Sequence, residues 1–372
     1  MTAEPTDTIA MTVLTGFLGA GKTTLLNRML KDEAMAGCAV IINEFGEVGI
    51  DHLLVETADE GIVEMSSGCL CCTIRGDLID TLVGLLARRD DGRVGAFDRV
   101  VIETTGLADP APVLHTVMTY PYLVERFRLD GVVTLVDAVN GMATLDDHEE
   151  AVKQAAVADR LVLTKTDLLD HDPAALIARL RALNPGARIV DAARGEATAV
   201  ALIDCGLYNP ATRSADVARW LAEEAYRDRH DHHHDVNRHD ERISAFCVVR
   251  EEPIGIDGFN LFMELLGANY GANLLRVKGI VRLAEEPDRP VVIHGVQHVF
   301  HPPARLDAWP GGDRHTRIVF ITRDIPQAHL EALLDAFSEE RTKEGTVAAF
   351  EPDRTLSVTR PGGLFDGDGG AR

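Results

Sequence analysis

The stretch that most restricts the fold is Gly16-Phe17-Leu18-Gly19-Ala20-Gly21-Lys22-Thr23. An apolar run over residues 9–14 precedes it, and a helix-like run over 24–30 follows it. GxxxxGK[ST] between a strand and a helix is the pattern of a P-loop. Its glycines let successive backbone N–H groups turn inward around an anion, and the next helix adds its positive N-terminal end. A chance Gly-rich turn ending in Lys-Thr would not need both flanks. The pattern puts Gly16, Gly19, Ala20, Gly21 and Thr24 around the phosphates of a nucleoside triphosphate. Lys22 reaches the β/γ-oxygens, and the Thr23 hydroxyl becomes a Mg²⁺ ligand.

Around this loop, apolar runs alternate with helical periodicity up to about residue 201. Strands are expected at 11–15, 39–43, 99–103, 131–136, 161–164 and 188–190, and helices at 22–31, 77–88, 111–116, 149–156 and 173–183. The runs are short, rich in β-branched residues and apolar on both faces, as in a parallel sheet covered by helices. The fold class expected is α/β: a P-loop GTPase domain with a mostly parallel, doubly wound sheet, plus a smaller α+β C-terminal domain. The chain has 372 residues, enough for roughly two domains of ~150 residues. The first is expected over 1–222. A polar tract with His230, His232, His233, His234 and His239 reads as a linker over 223–241. The second domain is expected over 242–358, with strands at 243–249, 274–283, 291–294 and 317–322 and helices at 258–266 and 327–337. The Gly/Asp-rich end, 359–372, reads as a disordered tail.

Charge narrows the partners. A net charge of −22 argues against nucleic acid and against anionic membranes. No apolar run reaches the ~18 residues of a membrane span. The N-terminus carries Glu4 and Asp7 instead of a basic and then apolar leader. A cytoplasmic location is expected, and in a reducing compartment the six cysteines are expected as thiols.

Further motifs follow the P-loop. Asn43-Glu44-Phe45-Gly46-Glu47-Val48-Gly49-Ile50-Asp51 stands where P-loop GTPases place switch I. Val101-Ile102-Glu103-Thr104-Thr105-Gly106 reads as an acid-ended strand running into switch II. Glu103 is a candidate to hold Mg²⁺ through water, the Gly106 N–H to contact the γ-phosphate, and Glu44 to orient water. Thr164-Lys165-Thr166-Asp167 resembles the guanine-reading NKxD, with Thr164 in place of Asn. A carboxylate at Asp167 can accept from N1–H and N2–H₂ of guanine, which adenine does not offer together, so GTP is favoured over ATP.

Between the two switch segments lies Ser66-Ser67-Gly68-Cys69-Leu70-Cys71-Cys72. Thiolates suit Zn²⁺ and other soft or borderline metals. Cys69, Cys71 and Cys72 supply three ligands at most, and Glu44, Glu47, His115 or water could supply a fourth. An open three-thiolate site suits an ion that is handed on. Gly68 before the cysteines and Thr73, Arg75 and Gly76 after them point to a loop. Cys38, Cys205 and Cys247 sit singly among apolar residues and read as packing residues. The histidine tract reads either as a solvated linker or as a collector that feeds the cysteines.

Together these motifs resemble the CobW-type family of metal-chaperone GTPases. The matching pieces are GFLGAGKTT, NEFGEVGID, SSGCLCC, ETTGLADP, TKTD, the His-rich linker, LRVKG at 275–279, GVQH at 295–298 and HPP at 301–303. The resemblance implies a GTPase using GTP and Mg²⁺ that binds Zn²⁺, or alternatively Co²⁺ for cobalamin synthesis, at Cys69, Cys71 and Cys72. It would pass the ion to client apo-metalloproteins, with GTP hydrolysis timing release. No arginine finger is identifiable, so one would have to come from the client or from a second subunit in a homodimer. Slow intrinsic turnover is therefore expected. A different reading is metal storage or sensing, with the histidine tract as the main store and the nucleotide regulatory.

Overall fold

The computed structural model describes residues 8–45, 62–67, 73–203, 205, 242–301, 303–310 and 312–338. The first domain is built on seven strands: β1 Ile9–Gly16, β2 Cys38–Phe45, β3 Ile62–Ser67, β4 Arg99–Glu103, β5 Phe127–Asp137, β6 Arg160–Thr164 and β7 Arg188–Asp191. Their order is β3-β2-β4-β1-β5-β6-β7, and every neighbouring pair is parallel. Parallel neighbours need crossover connections, and these are α1 Lys22–Met29, α2 Thr73–Asp90, α3 Ala111–Thr119, α4 Pro121–Arg126, α5 Gly141–Asp147, α6 Glu149–Ala156, α7 Ala174–Leu183 and α8 Ala199–Leu202.

Both faces of the sheet are covered, which is why its strands read as unbroken apolar runs. Met11, Val13, Ile41 and Ile102 pack against α2 and α3 through Leu82, Leu86 and Leu114. Their neighbours of opposite parity, Leu14, Val40, Val101 and Val133, pack against α1 and α8 through Leu26 and Leu202.

The second domain is an antiparallel sheet of β8 Ile243–Arg250, β9 Leu274–Val281, β10 Val291–Val296, β11 Val299–Phe300, β12 Ala304–Arg305 and β13 Thr316–Arg323. The order is β11-β10-β9-β13-β8, with β12 beside β10. Helices α9 Ile256–Tyr270 and α10 Gln327–Ser338 cover one face, where Phe259, Phe262 and Leu334 meet Val248, Val277 and Phe320. Residues on the other face, Ala245, Ile280, Val292 and Ile321, share a core with Leu161, Leu176 and Leu180 of the first domain.

At this seam Asp159 accepts hydrogen bonds from Arg276 Nη2 (2.6 Å) and Lys278 Nζ, and its other oxygen accepts from the Val132 N–H at 2.9 Å. Burial works to raise the Asp159 pKa, but the two cations hold its carboxyl far below the usual carboxylate range. No described helix is long and apolar enough to cross a membrane.

All six strands expected in the first domain are present, and the sheet has one more. β3 escaped because Glu64, Ser66 and Ser67 interrupt its apolar run. It lies at one end of the strand order, where a single neighbour suffices. Helix α2 begins at Thr73, so Thr73, Arg75 and Gly76 are helical where their polarity had suggested a loop. The first turn of a helix tolerates such residues because its N–H groups have no intrahelical partner.

Candidate functional site

β1 delivers the chain into the phosphate loop at its carboxyl end. Gly16, Gly19 and Gly21 hold φ angles of 143°, 72° and 91°, a region open to glycine at little cost. Gly21 is also the left-handed N-cap residue of α1. Lys22, 9% exposed, folds back so that Nζ donates to the Gly16 carbonyl at 2.9 Å and the Phe17 carbonyl at 3.4 Å.

Thr23 Oγ1 donates to Glu103 Oε1 at 2.9 Å. This ties the start of α1 to the end of β4. The donor set fits a Mg²⁺ ion, with the Thr23 hydroxyl as ligand and the Glu103 carboxylate beside it to hold a metal-bound water. Hydroxyl and carboxylate are the hard oxygen donors this ion prefers.

Beyond Glu103 the chain stays on the phosphate loop. The Thr104 N–H donates to the Leu14 carbonyl at 2.9 Å, and Thr104 Oγ1 donates to Thr15 Oγ1 at 2.8 Å. Gly106 lies against Leu18 so closely that a Cβ there would stand 2.6 Å from the Leu18 nitrogen. From α6, Gln154 Nε2 donates to the carbonyls of Gly106 (3.2 Å) and Ala108 (2.9 Å).

β6 carries the turn with Lys165 and Asp167 to the same edge. Thr164 Oγ1 donates to the Ala20 carbonyl at 2.8 Å, so threonine at this position braces the phosphate loop. Lys165 takes a left-handed φ of 60°, and its Nζ donates to Asp137 Oδ2 at 2.7 Å. Asp137 also accepts from the N–H groups of Val139 and Asn140 and from Asn140 Nδ2, at 2.8, 3.3 and 3.0 Å. Burial works to raise the Asp137 pKa, but Lys165, Asn140 and the two N–H groups bring it below the usual value. Asp167 is exposed on a short 3₁₀ turn, Thr166–Leu168. Thr166 Oγ1 anchors that turn on Asp191 Oδ1 at 2.7 Å.

The structure thus gathers Lys22, Thr23, Glu103, Gly106, Lys165 and Asp167 at the carboxyl ends of β1, β4 and β6. Glu44 is on β2, and its side chain lies outside the described residues. So do Glu47, Cys69, Cys71, Cys72 and the histidine tract. The register still carries information: Glu44 pairs with Ser66 and Phe45 with Ser67, so β3 ends level with β2. Cys69 follows Ser67 by two residues. With strands ~4.8 Å apart, the end of β3 is three steps, about 14 Å, from the phosphate loop of β1.

His115, weighed as a fourth metal ligand, is buried in α3 with Nε2 donating to the Val296 carbonyl at 2.9 Å, which occupies one of its two ring nitrogens. Among the described residues no group of three or more His, Cys, Asp or Glu is arranged to hold a metal. Cys38, Cys205 and Cys247 are free thiols. Burial pushes Cys38 up to about 12 and Cys205 well above its ordinary value, as expected of inert packing residues.

Sequence reasoning missed Asp137, Gln154 and Asp191. Asp137 could have been found, since it ends the apolar run of β5 as Glu103 ends that of β4. Gln154 gave no local signal, because only the tertiary fold brings it to Gly106.

Comparison with known proteins agrees with this geometry. Residues 10–191 match the family described as CobW/HypB/UreG, nucleotide-binding domain, and residues 243–338 match the cobalamin synthesis protein CobW C-terminal domain. The chain is 36% identical over 326 residues to "Zinc chaperone YjiA" of Escherichia coli K12, covering 87% of this chain and 97% of that protein. It is 35% identical over 197 residues to "Zinc-regulated GTPase metalloprotein activator 1" of Schizosaccharomyces pombe, covering 51% of this chain and 47% of that protein. Among solved structures, Zn(II)-bound YjiA GTPase from E. coli superposes with a TM-score of 0.66 at 31% identity, covering 89% of this chain and 99% of that one. A Zn(II)-bound triple mutant of YjiA gives 0.67 over the same coverage. By its fold, its phosphate-loop geometry and these matches, the chain belongs to the CobW/HypB/UreG family.

Proposed function

We propose that this protein is a GTP-hydrolysing zinc chaperone. Cys69, Cys71 and Cys72 grip the ion, the nucleotide state sets how firmly, and a client apo-metalloprotein receives it. One observation carries the reading: the register ends β2 and β3 level, at the edge of the sheet where the phosphate loop and Glu103 also stand. The three cysteines begin two residues beyond that edge. The zinc-chaperone names of the relatives support the cargo.

In hydrolysis, Lys22 and the N–H groups of the phosphate loop stabilise charge that develops on the transferred phosphoryl group. Thr23 and Glu103 would hold Mg²⁺, which when bound neutralises charge on the β- and γ-oxygens. Glu44 orients the attacking water. Gly106 donates its N–H to the γ-phosphate, and its carbonyl, held by Gln154, keeps that N–H in place. Lys165 and Asp167 select guanine.

Magnitudes require a partner. Thiolate zinc sites are worth ~10–16 kcal/mol at neutral pH. A coupling free energy of ~1–3 kcal/mol changes affinity roughly 5–150-fold. The nucleotide alone does not expel the ion, so client ligands must compete for it. An arginine that speeds hydrolysis comes from the client or from a second copy in a homodimer.

The test is equilibrium competition for Zn²⁺, and in parallel for Co²⁺, against a chelator with Mg²⁺-GTP analogue or GDP bound. Affinity should differ at least fivefold between the nucleotides and vanish in the Cys69/71/72→Ala variant. Equal affinities with both nucleotides, or metal retained by the triple variant, would overturn the reading.

A further inference from the structure

β10 and β11 of the second domain form a hairpin whose paired residues Val296 and Val299 are buried in a core of the first domain with Leu82 and Leu114. The hairpin is clamped on both sides. On one side the Val296 carbonyl accepts from His115 Nε2 of α3 at 2.9 Å, and the His115 and His298 rings meet edge to face with centroids 4.5 Å apart. On the other side lies Gly271, directly after α9. A Cβ on Gly271 would stand 2.4 Å from the His298 Cβ, so the tip rests on that backbone. A body packed this closely transmits small displacements instead of absorbing them.

The tip reaches the loop after β4. Asp109 of that loop accepts from the Ala111 N–H through Oδ1 at 2.9 Å. Its Oδ2 faces two donors, Gln297 Nε2 of the hairpin at 3.5 Å and Lys153 Nζ of α6 at 3.8 Å. Lys153 also pairs with Glu149 at 3.2 Å, and Glu149 with Arg323 of β13 at 2.6 Å. One carboxylate therefore stands between the loop that carries Gly106 and two parts of the second domain.

Two details single out Gln297. Its φ is 53°, at the first of the two residues between the paired valines, where hairpins favour glycine, asparagine or aspartate. A longer side chain held on a left-handed backbone is strained, and such strain persists where the surroundings impose it. Its contact with Asp109 is also at the outer limit of a hydrogen bond, so a loop displacement of about 0.5 Å makes or breaks it. We propose that Gln297 is a positioning residue for the nucleotide site. Through Asp109 it steadies the loop that carries Gly106, and the same contact carries the presence of the γ-phosphate back to the hairpin and to α9. This rests on the proposed contact of the Gly106 N–H with the γ-phosphate. Coupling between sites is reciprocal, so a partner docked on the second domain acts on nucleotide affinity through the same contact.

Three variants test this. Gln297→Gly removes the amide and suits this φ. Gln297→Glu keeps the size and sets a like charge against Asp109, and Gln297→Lys restores a donor. On the full-length protein, hydrogen exchange read by mass spectrometry follows the peptide over 295–300 with Mg²⁺-GTP analogue or GDP bound. In wild type and Gln297→Lys the two nucleotides should give exchange rates about fivefold apart, the low end of coupling between sites. In Gln297→Gly and Gln297→Glu the rates should converge. In those two variants kcat for GTP should fall about fivefold, the worth of one net hydrogen bond. KM should stay within about twofold, because the phosphate loop and the turn after β6 are untouched. A residue that merely closed the hairpin would move neither the nucleotide dependence nor kcat. Identical wild-type exchange with both nucleotides, or unaltered kcat and nucleotide dependence in the Gly and Glu variants, would overturn the proposal. The exchange comparison needs only nucleotide binding, so it decides the point whether or not zinc is carried.

Discussion

Thr23 and Glu103 form the smallest unit on which the proposed nucleotide chemistry depends. Their contact joins two segments 80 residues apart. Glu103→Gln keeps the acceptor for Thr23 but removes a charge facing the expected cation. Steady-state GTP hydrolysis should fall about 10²-fold, with the Mg²⁺ concentration for half-maximal rate rising, as phosphate-release assays across a Mg²⁺ series would record. Under the proposed role of Asp167, Asp167→Ala should weaken GTP by roughly 10²-fold or more and leave ATP unchanged, since only guanine offers the donor pair a carboxylate there would read. Competition between the two nucleotides for a fluorescent analogue checks this. That Lys22, Thr23, Glu103 and Asp167 stand at one edge of the sheet was legible in the chain because each belongs to a short contiguous pattern at a strand end. Gln154 was not, because its partners lie 48 and 46 residues away in sequence.

Among the elements, most of the first sheet could be read from runs of β-branched and aliphatic residues, since both its faces are buried. β3 could not. At one end of the strand order it is specified by pairing with β2 more than by its own composition. The loop after β4 shows the same dependence on context. Gly106 looks like an ordinary turn glycine, yet its Cα faces the Leu18 backbone at a distance no side chain fits. Backbone atoms cannot rotate aside as a side-chain tip can. Gly106→Ala should therefore displace the phosphate loop and lower kcat at least tenfold with a loss of stability of about 1–3 kcal/mol. Phosphate release and urea unfolding measure the two effects separately.

At the scale of the molecule the seam between the sheets holds a buried charge cluster on which stability depends. Asp159 is buried with Arg276 and Lys278, so Asp159→Asn leaves two cations with no compensating charge. A cost of about 3–5 kcal/mol is expected in urea unfolding.

His294 on β10, 1% exposed, faces the same cluster, and both ring nitrogens are without hydrogen-bond partners. Burial first, then Arg276 and Lys278, and to a smaller degree His301, push its pKa well below 6.5, while Asp159 pulls it the other way. The unfolded chain therefore takes up this proton first as the pH falls below about 6.5, and stability must drop with it. Asp159 acts in the same sense at lower pH. Its folded pKa is depressed, so its contribution is present above about 3.9 and is lost as the pH falls through the folded value. His294→Leu should flatten the stability profile between about pH 5 and 7, measured by urea midpoints across that range. The two-domain layout was legible from composition, but this seam was not. Arg276 and Lys278 look like ordinary strand-face cations until Asp159 is placed opposite them.

The position of Asp159 has one more consequence. It immediately precedes β6, and the turn bearing Lys165 and Asp167 immediately follows that strand. Five residues of fully buried strand, about 17 Å of stiff backbone, join the anchor of the second domain to the turn proposed to read the base. A tug on the C-terminal sheet would thus reach Thr164, whose hydroxyl holds the Ala20 carbonyl of the phosphate loop, together with the turn that follows it, which puts loading and unloading of the nucleotide within reach of control from outside.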